Sequence, residues 1–498
     1  MGDLQIVEHD FSLSIHNLSR GGSPSIASYV MKRTLFDKIW DDHVVTTLDD
    51  GTCLLYIDRV FLHERTGSLA LQGLQAQGRK VRNPNQVFCT MDHIVDTFEG
   101  RTDATLMPGG AEFIRVTRER AKAEAITLFD LQDTRQGISH VVAAEQGIAL
   151  PGTTFVCPDS HTCTLGGVGV LATGVGSSEC EHALVTQTLR VAKPGQMRVT
   201  FAGALAPGTT AKDIVLHLIA KHSAAGGSGL AVEFAGPAIT DLEVEARMTL
   251  CNMAVEFSAY TGIIAPDEKT VEYIRDRPYA PEGDELRLAT EYWSKLRTEA
   301  GAEFDAELTI DCSEIGPTVT WGTSPQHAIP IDGIIPDPEN VADSDVRNSI
   351  RRALIYMDLK PGSGLHGTPI QSAFIGSCTN SRLSDLRLAA NILKGRKVKS
   401  GLRAICVPGS TQVKLDAEKE GLDQIFRDAG FEWRESGCSM CFYAGGEGFA
   451  QGERVISSTN RNFEGRQGPG VRSHLASPAT VAASAVMGCI YDFRRLDQ

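Results

Sequence analysis

The chain has 498 residues, of which 42% are hydrophobic and 22% charged, with 62 acids against 48 bases for a net charge of −14. That length calls for roughly three domains, and the acidic balance argues against nucleic acid as a main partner. No apolar run reaches the roughly 18 residues of a membrane span, and 12 cysteines thinly spread over the chain do not form a secreted disulfide scaffold.

Residues 1–30 show neither the apolar segment nor the cleavage pattern of a secretory signal. Asp3, Glu8 and Asp10 fit a transit peptide poorly, so the stretch is read as a disordered extension and the cytoplasm as the default location. Residues 34–45 place Leu35, Ile39 and Trp40 near helical spacing, which predicts an amphipathic helix. The run CLLYIDRVFLHE at 53–64 predicts one strand with a charged exit, and 87–97 another that ends in Asp92-His93. Buried parallel strands tend to carry polar functional residues at their C-terminal ends. Residues 127–147 repeat the form, with a turn at Gly137 and an apolar segment opened by His140.

The strand TTFVC at 153–157 runs into Pro158, Asp159, Ser160 and His161. A glycine-rich segment follows, then a helix that Ser177 or Ser178 is placed to cap. No Gly-Lys-Ser/Thr closes that segment and no G-x-G-x-x-G joins strand to helix, which argues against a nucleotide site. Such glycines fit close backbone packing or approach to a cofactor. The pattern restarts near residue 198, and Asn252 and Glu256 stand at i, i+4, a spacing that puts both on one helical face. Residues 267–304 read as charged and helical, and 330–345 as a linker rich in Pro, Asp and Gly. A third unit gives a strand, a turn with Cys378 and a helix over 372–393, and Ser477-Pro478 starts the last helix. The alternation predicts an α/β fold of three doubly wound domains with mainly parallel sheets, at 31–199, 200–337 and 338–498.

Cys438 and Cys441 have C-x-x-C spacing, a pattern shared by zinc half-sites, redox pairs and iron–sulfur sites. Cys378, in an exposed-type Gly-Ser-Cys-Thr-Asn turn, adds a third thiol. A structural zinc site wants four protein ligands, whereas three thiolates on a four-iron cluster leave one iron open, as a Lewis-acid catalyst requires. Arg461 and Arg466 add guanidiniums suited to carboxylates.

The motifs IGSCTNSR (375–382), GCSMC (437–441) and STNRNFEGR (458–466), with MDH (91–93), DSHT (159–162), MTLCNM (248–253) and VTWGTSP (319–325), resemble the aconitase superfamily. The likeness runs from about Leu35 to the C-terminus and is closest to the branch that isomerises isopropylmalate in leucine biosynthesis. It implies a [4Fe–4S] cluster on Cys378, Cys438 and Cys441 in a cleft between the three domains, and a dehydration–rehydration of a 2-hydroxy di- or tricarboxylic acid. It further implies Asp92 and His93 as the acid pair near the hydroxyl, and Asp159 and His161 as partners of iron-bound water. By the same resemblance His140 would line that pocket, Asn252 and Glu256 would face the cluster, Asn460 would lie beside it, and Arg461 and Arg466 would bind carboxylates. Single-chain relatives continue into a mobile swivel domain; this chain stops after the last helix, so a separate small subunit is the expected partner.

Leu69 stands where relatives place a glutamine, and Phe442-Tyr443-Ala444-Gly445 replaces a Leu-Ala-Met-Asn run. These departures put the substrate in question and keep another alkylmalate, a homoaconitate or a methylmalate-type acid open. Two other classes stay open as well: a cluster-free RNA-binding protein, and a zinc protein with a Cys3His site.

Overall fold

The computed structural model describes residues 32–496; the extension read at 1–30 lies outside them. Three parallel sheets follow one another along the chain. The first has the spatial order Thr127–Phe129, Val87–Thr90, Arg59–His63, Thr154–Cys157, Leu171–Gly174. The second runs Thr261–Ile263, Leu230–Ala235, Gly195–Ala202, Ala306–Asp311. The third runs Phe431–Trp433, Arg403–Cys406, Ser372–Ile375, Arg454–Ser457, Arg472–Leu475. Four-residue strands such as Val87–Thr90, Thr154–Cys157 and Ser372–Ile375 are buried at every position, as expected of parallel sheets covered on both faces.

The first and third sheets share one order: the earliest strand is central, and the chain winds outward first to one side and then to the other. Such an order reverses at the central strand and opens a crevice at the strands' carboxyl ends. His63 closes its strand in the first sheet and Asp92 and Asp159 follow theirs, as do Cys378 and Ser458 in the third. Loop 136–138 joins the two units, with Ile138 N donating to Gly409 O and Thr411 N to Gln136 O, each at 2.8 Å. Gly137 is required there, because a Cβ would stand 2.5 Å from Ser410 Cα.

Most predicted elements are present. The helix Leu35–His43 is capped by Thr34 and buries Leu35, Phe36, Ile39 and Trp40, and Ser477 caps Pro478–Met487. Four expectations are corrected. Residues 53–64 form two strands: Cys53–Tyr56 lies in a small antiparallel sheet with Val44–Thr47 and Thr188–Val191, while Arg59–His63 is the centre of the first parallel sheet. The chain changes sheets where the Asp58 carboxylate accepts Thr154 N at 2.8 Å. The cap of Ser177–Thr186 is Gly176, whose N–H the Glu179 carboxylate accepts at 2.8 Å. The helix carrying Asn252 ends there and tightens into a 3-10 turn, Met253–Phe257, closed by Ser258 at φ 62°. The 330–345 linker is packed, since Ile331 and Ile335 are fully buried in the third unit's core. The strand Gly195–Ala202 pairs only within the second sheet, so we propose the first domain division ahead of Gly195, which leaves this sheet whole.

Candidate active site

Three thiols meet at the crevice. Cys378 follows the central strand of the third sheet, and Cys438 and Cys441 flank a short turn after Phe431–Trp433; all three are buried. The Cys441 thiol donates to Ser377 Oγ at 3.1 Å and reaches Asn460 Oδ1 at 3.9 Å. Cys378 Sγ accepts from Asn252 Nδ2 at 3.1 Å and Asn460 Nδ2 at 3.5 Å. Cys438 Sγ lies 3.9 Å from His93 Nδ1. The backbone is forced at both loops: Ser377 has φ 80° and Ser439 φ 47°, the left-handed region that non-glycine residues avoid. Arg382, itself buried, holds the Cys378 turn by donating to the carbonyls of Cys378 (2.8 Å) and Thr379 (3.0 Å).

Beside the thiols runs a chain of imidazoles and carboxylates from the first sheet. His93 Nδ1 donates to Asp92 Oδ1 at 2.5 Å, and its Nε2 faces Asp159 Oδ2 at 3.2 Å. Asp159 Oδ1 accepts His140 Nε2 at 2.9 Å and His161 N at 2.7 Å. His161 Nε2 meets Glu256 Oε1 at 2.9 Å, and Arg461 Nε donates to the same oxygen at 2.6 Å. Arg466 Nη2 is 3.7 Å from Cys441 Sγ.

A family model described as Aconitase family (aconitate hydratase) matches residues 37–488. The chain belongs to the aconitase family. Large subunit 1 of 3-isopropylmalate dehydratase from Bradyrhizobium diazoefficiens is 52% identical over 466 residues, covering 94% of this chain and 97% of that protein. The solved holo-form of Thermococcus kodakaraensis aconitase X is matched over 82% of this chain and 84% of its own, at a TM-score of 0.44 and 11% identity, too distant a likeness to carry any argument.

In this aconitase-family chain the candidate catalytic, substrate-binding and metal-ligating residues lie in one contact network, but not always as expected, and Leu69 stands apart as an exposed side chain. Asn252 and Glu256 do not share a helical face; Asn252 ends a helix and turns to Cys378 and Thr379, while Glu256 sits on the 3-10 turn and faces His161. Arg461 is already engaged by Glu256, whereas Arg466 faces the thiols. Lys212, fully buried, fixes the segment ahead of Asn460 by donating to Ser458 O at 3.0 Å and Thr459 O at 2.5 Å.

The electrostatics follow from these contacts. Burial disfavours charge on Asp159, yet His140, His161 and His93 outweigh it and hold the carboxyl well below its ordinary value. Burial likewise opposes a charge on His93, but Asp92 and Cys438 lead the groups that raise it well above 6.5. Both ring nitrogens face carboxylates, an arrangement that favours the protonated ring of His93. Glu256 is lowered against its own burial by His161 and Arg461. The Cys378 thiol is pushed up to about 12 by burial and by Cys441, so an ionised sulfur here needs a positive partner.

Sequence reasoning missed His63 and Glu64, and also Arg65, whose guanidinium lies 4.8 Å from the centroid of the Phe442 ring. His63 stacks on His93 with centroids 4.0 Å apart. Glu64, fully buried, accepts Asp92 N at 3.0 Å and Ile94 N at 2.5 Å, clamping the loop that carries Asp92-His93. Burial and Asp92 raise its carboxyl to about 7. The available signal was the one used for Asp92-His93, a polar pair at a strand's C-terminal end.

Proposed function

We propose that this chain is the large, cluster-bearing subunit of an iron–sulfur hydro-lyase that interconverts 2- and 3-isopropylmalate in leucine biosynthesis, working with a separate small subunit. The observation that carries the reading is the meeting of three buried thiols with an imidazole ring held between two carboxylates. The 52%-identical relative named as such a large subunit supports this choice of substrate and partner.

The donor set fits a [4Fe–4S] cluster on Cys378, Cys438 and Cys441. Amide N–H groups of Asn252 and Asn460 point at Cys378 Sγ, as donors around cluster sulfurs do. A Cys3His zinc site fits less well: both nitrogens of His93, the imidazole at Cys438, are held by carboxylates. Cys163 directs its thiol to the carbonyls of Asn252 and Ser160. When bound, the cluster supplies Lewis acidity toward the substrate's hydroxyl and carboxylate. The chain's own residues do the rest. His93 presents a proton at Nε2 for a departing hydroxyl, Asp92 and Asp159 fix its ring, and His140 and His161 keep Asp159 ionised. Arg466 offers a guanidinium to a substrate carboxylate, and Asn252 and Asn460 hold the Cys378 side of the cradle. The base for the carbon-bound proton we assign to the small subunit.

The test is anaerobic reconstitution. Iron and acid-labile sulfide with a broad visible absorption, and isomerisation of isopropylmalate only when a small subunit is added, are the expected results. Zinc without sulfide would refute the cluster, and full turnover by the isolated chain would refute the two-subunit reading. A second substrate, another alkylmalate or a homoaconitate, stays in view because Phe442 stands against His93, with ring centroids 5.4 Å apart.

A further inference from the structure

Gln136 is fully buried at the seam between the first and third units. Its Nε2 donates at 2.5 Å to the carbonyl of Met91, the residue ahead of Asp92. Its Oε1 accepts from Arg101 Nη2 at 2.6 Å, from Ser436 Oγ at 2.7 Å and from Thr411 Oγ1 at 3.1 Å. Turned over, the amide would set its oxygen against the Met91 carbonyl and its NH2 against the Arg101 guanidinium, so only one orientation satisfies all the partners. These contacts belong to a closed ring. Cys438 N donates to Asp92 O at 2.9 Å, so a path runs from Gln136 through Met91 and Asp92 to Cys438, and returns by Gly437 and Ser436 to the same amide. His93 hangs on this ring: its Nδ1 donates to Asp92 Oδ1 at 2.5 Å and lies 3.9 Å from Cys438 Sγ. The far ends of the two loops are joined by Glu435 N to Thr97 O at 2.9 Å and by Thr97 Oγ1 to Ser439 Oγ at 3.0 Å; the amide joins the near ends.

We propose that Gln136 is a positioning residue for His93, a tether that holds the Asp92-His93 loop of the first unit at a fixed place against the Cys438 loop of the third. The inference rests on the hydro-lyase reading above and deepens it. The acid comes from one unit and the thiols from another, so proton delivery depends on how the two are set against each other, and small errors of placement are costly to rate. The task needs a donor and an acceptor on one short side chain. A glutamate lacks the donor and a methionine lacks both. A buried carbonyl stripped of its donor is costly, so cutting the bond to Met91 O loosens the loop.

The test uses the full chain with its cluster reconstituted and a small subunit added. Gln136→Glu keeps the size and the acceptor side, where Arg101 supplies a counter-charge, and cuts only the bond to Met91 O; Gln136→Met cuts both sides. In both variants kcat should fall by about tenfold or more, while KM for isopropylmalate stays within about twofold and iron, sulfide and visible absorption are unchanged. Amide exchange at 91–97, followed by mass spectrometry, should quicken in both. A glutamine that only glued the seam would act otherwise: Gln136→Glu would keep the wild-type kcat, and Gln136→Met would lose melting temperature alone. Wild-type kcat in either variant with its cluster bound overturns the proposal, as does unchanged exchange at 91–97; should one variant fail to fold, the other decides. Faster exchange at 91–97 in a chain that isomerises no hydroxy acid would support the tether and overturn the reaction assignment instead.

Discussion

Asp159 is the residue on which the acid–base set turns, because one carboxylate serves His93, His140 and the backbone of His161. Asp159→Asn keeps the shape but removes one of the two carboxylates that favour charge on His93, leaving Asp92, the larger contributor. We expect kcat to fall by about 10²-fold or more with iron and sulfide content unchanged, measured by steady-state kinetics beside metal analysis. Cys378→Ser should do the reverse at its own position: little bound iron and sulfide, with far-UV circular dichroism retained. Residues of this kind were legible when they stood at a strand end that the sequence marked, as Asp92 and Asp159 do. His63, Glu64 and Arg65 were hidden because 53–64 read as one strand, which disguised Arg59–His63 as the tail of an outer element rather than the centre of a sheet. Arg65, beyond a charged exit, carries no periodicity at all.

At the scale of elements, the glycine-rich segment after Asp159 serves packing. A Cβ at Gly166 would stand 1.8 Å from Gly262 O, and one at Gly167 would stand 2.6 Å from Met248 N, so the 3-10 segment Ser160–Val168 lies flush against the helix Val244–Asn252 and the strand Thr261–Ile263. Gly166→Ala should therefore cost about 1–3 kcal/mol by overpacking, read as a lower urea midpoint, and should displace His161 from Glu256. Strands were easy to see because short, wholly apolar runs between turns have few other uses. The end of the helix at Asn252 was not, since Met253, Ala254 and Phe257 continue an apolar pattern that a 3-10 turn buries equally well. The 330–345 stretch was misjudged on composition: Pro, Asp and Gly set its turns, but Ile331 and Ile335 decide where it lies.

Across the whole molecule the cleft draws on all three sheets, and that convergence is a tertiary fact with no trace in local periodicity; only the resemblance carried by separated motifs made it readable. The same packing places fully buried His474 between units. Its Nδ1 donates to Thr320 O at 2.6 Å and its Nε2 accepts from Arg454 Nη1 at 2.9 Å, so the neutral ring is the one that fits. Burial and Arg454 depress it to about 3. A folded value below the unfolded 6.5 means that the unfolded chain binds the proton first. The contribution is complete above about pH 6.5 and is lost as pH falls toward 3, by up to about 1.4 kcal/mol per pH unit. Urea midpoints should drop between pH 7 and 5, and His474→Gln should flatten that drop.

The left-handed serines have a further consequence. Ser377 and Ser439 sit one residue from Cys378 and Cys438 in conformations that cost on the order of 1–3 kcal/mol each. A bound cluster would hold both loops in place; once it is lost, each is free to slip back to an ordinary conformation. Amide hydrogen exchange at 376–380 and 437–442 should then quicken while the sheets stay protected, and glycine at both positions should mute the difference. Oxidative damage at the iron would thus be written into the backbone as local opening, giving proteases a way to tell a spent subunit from a working one.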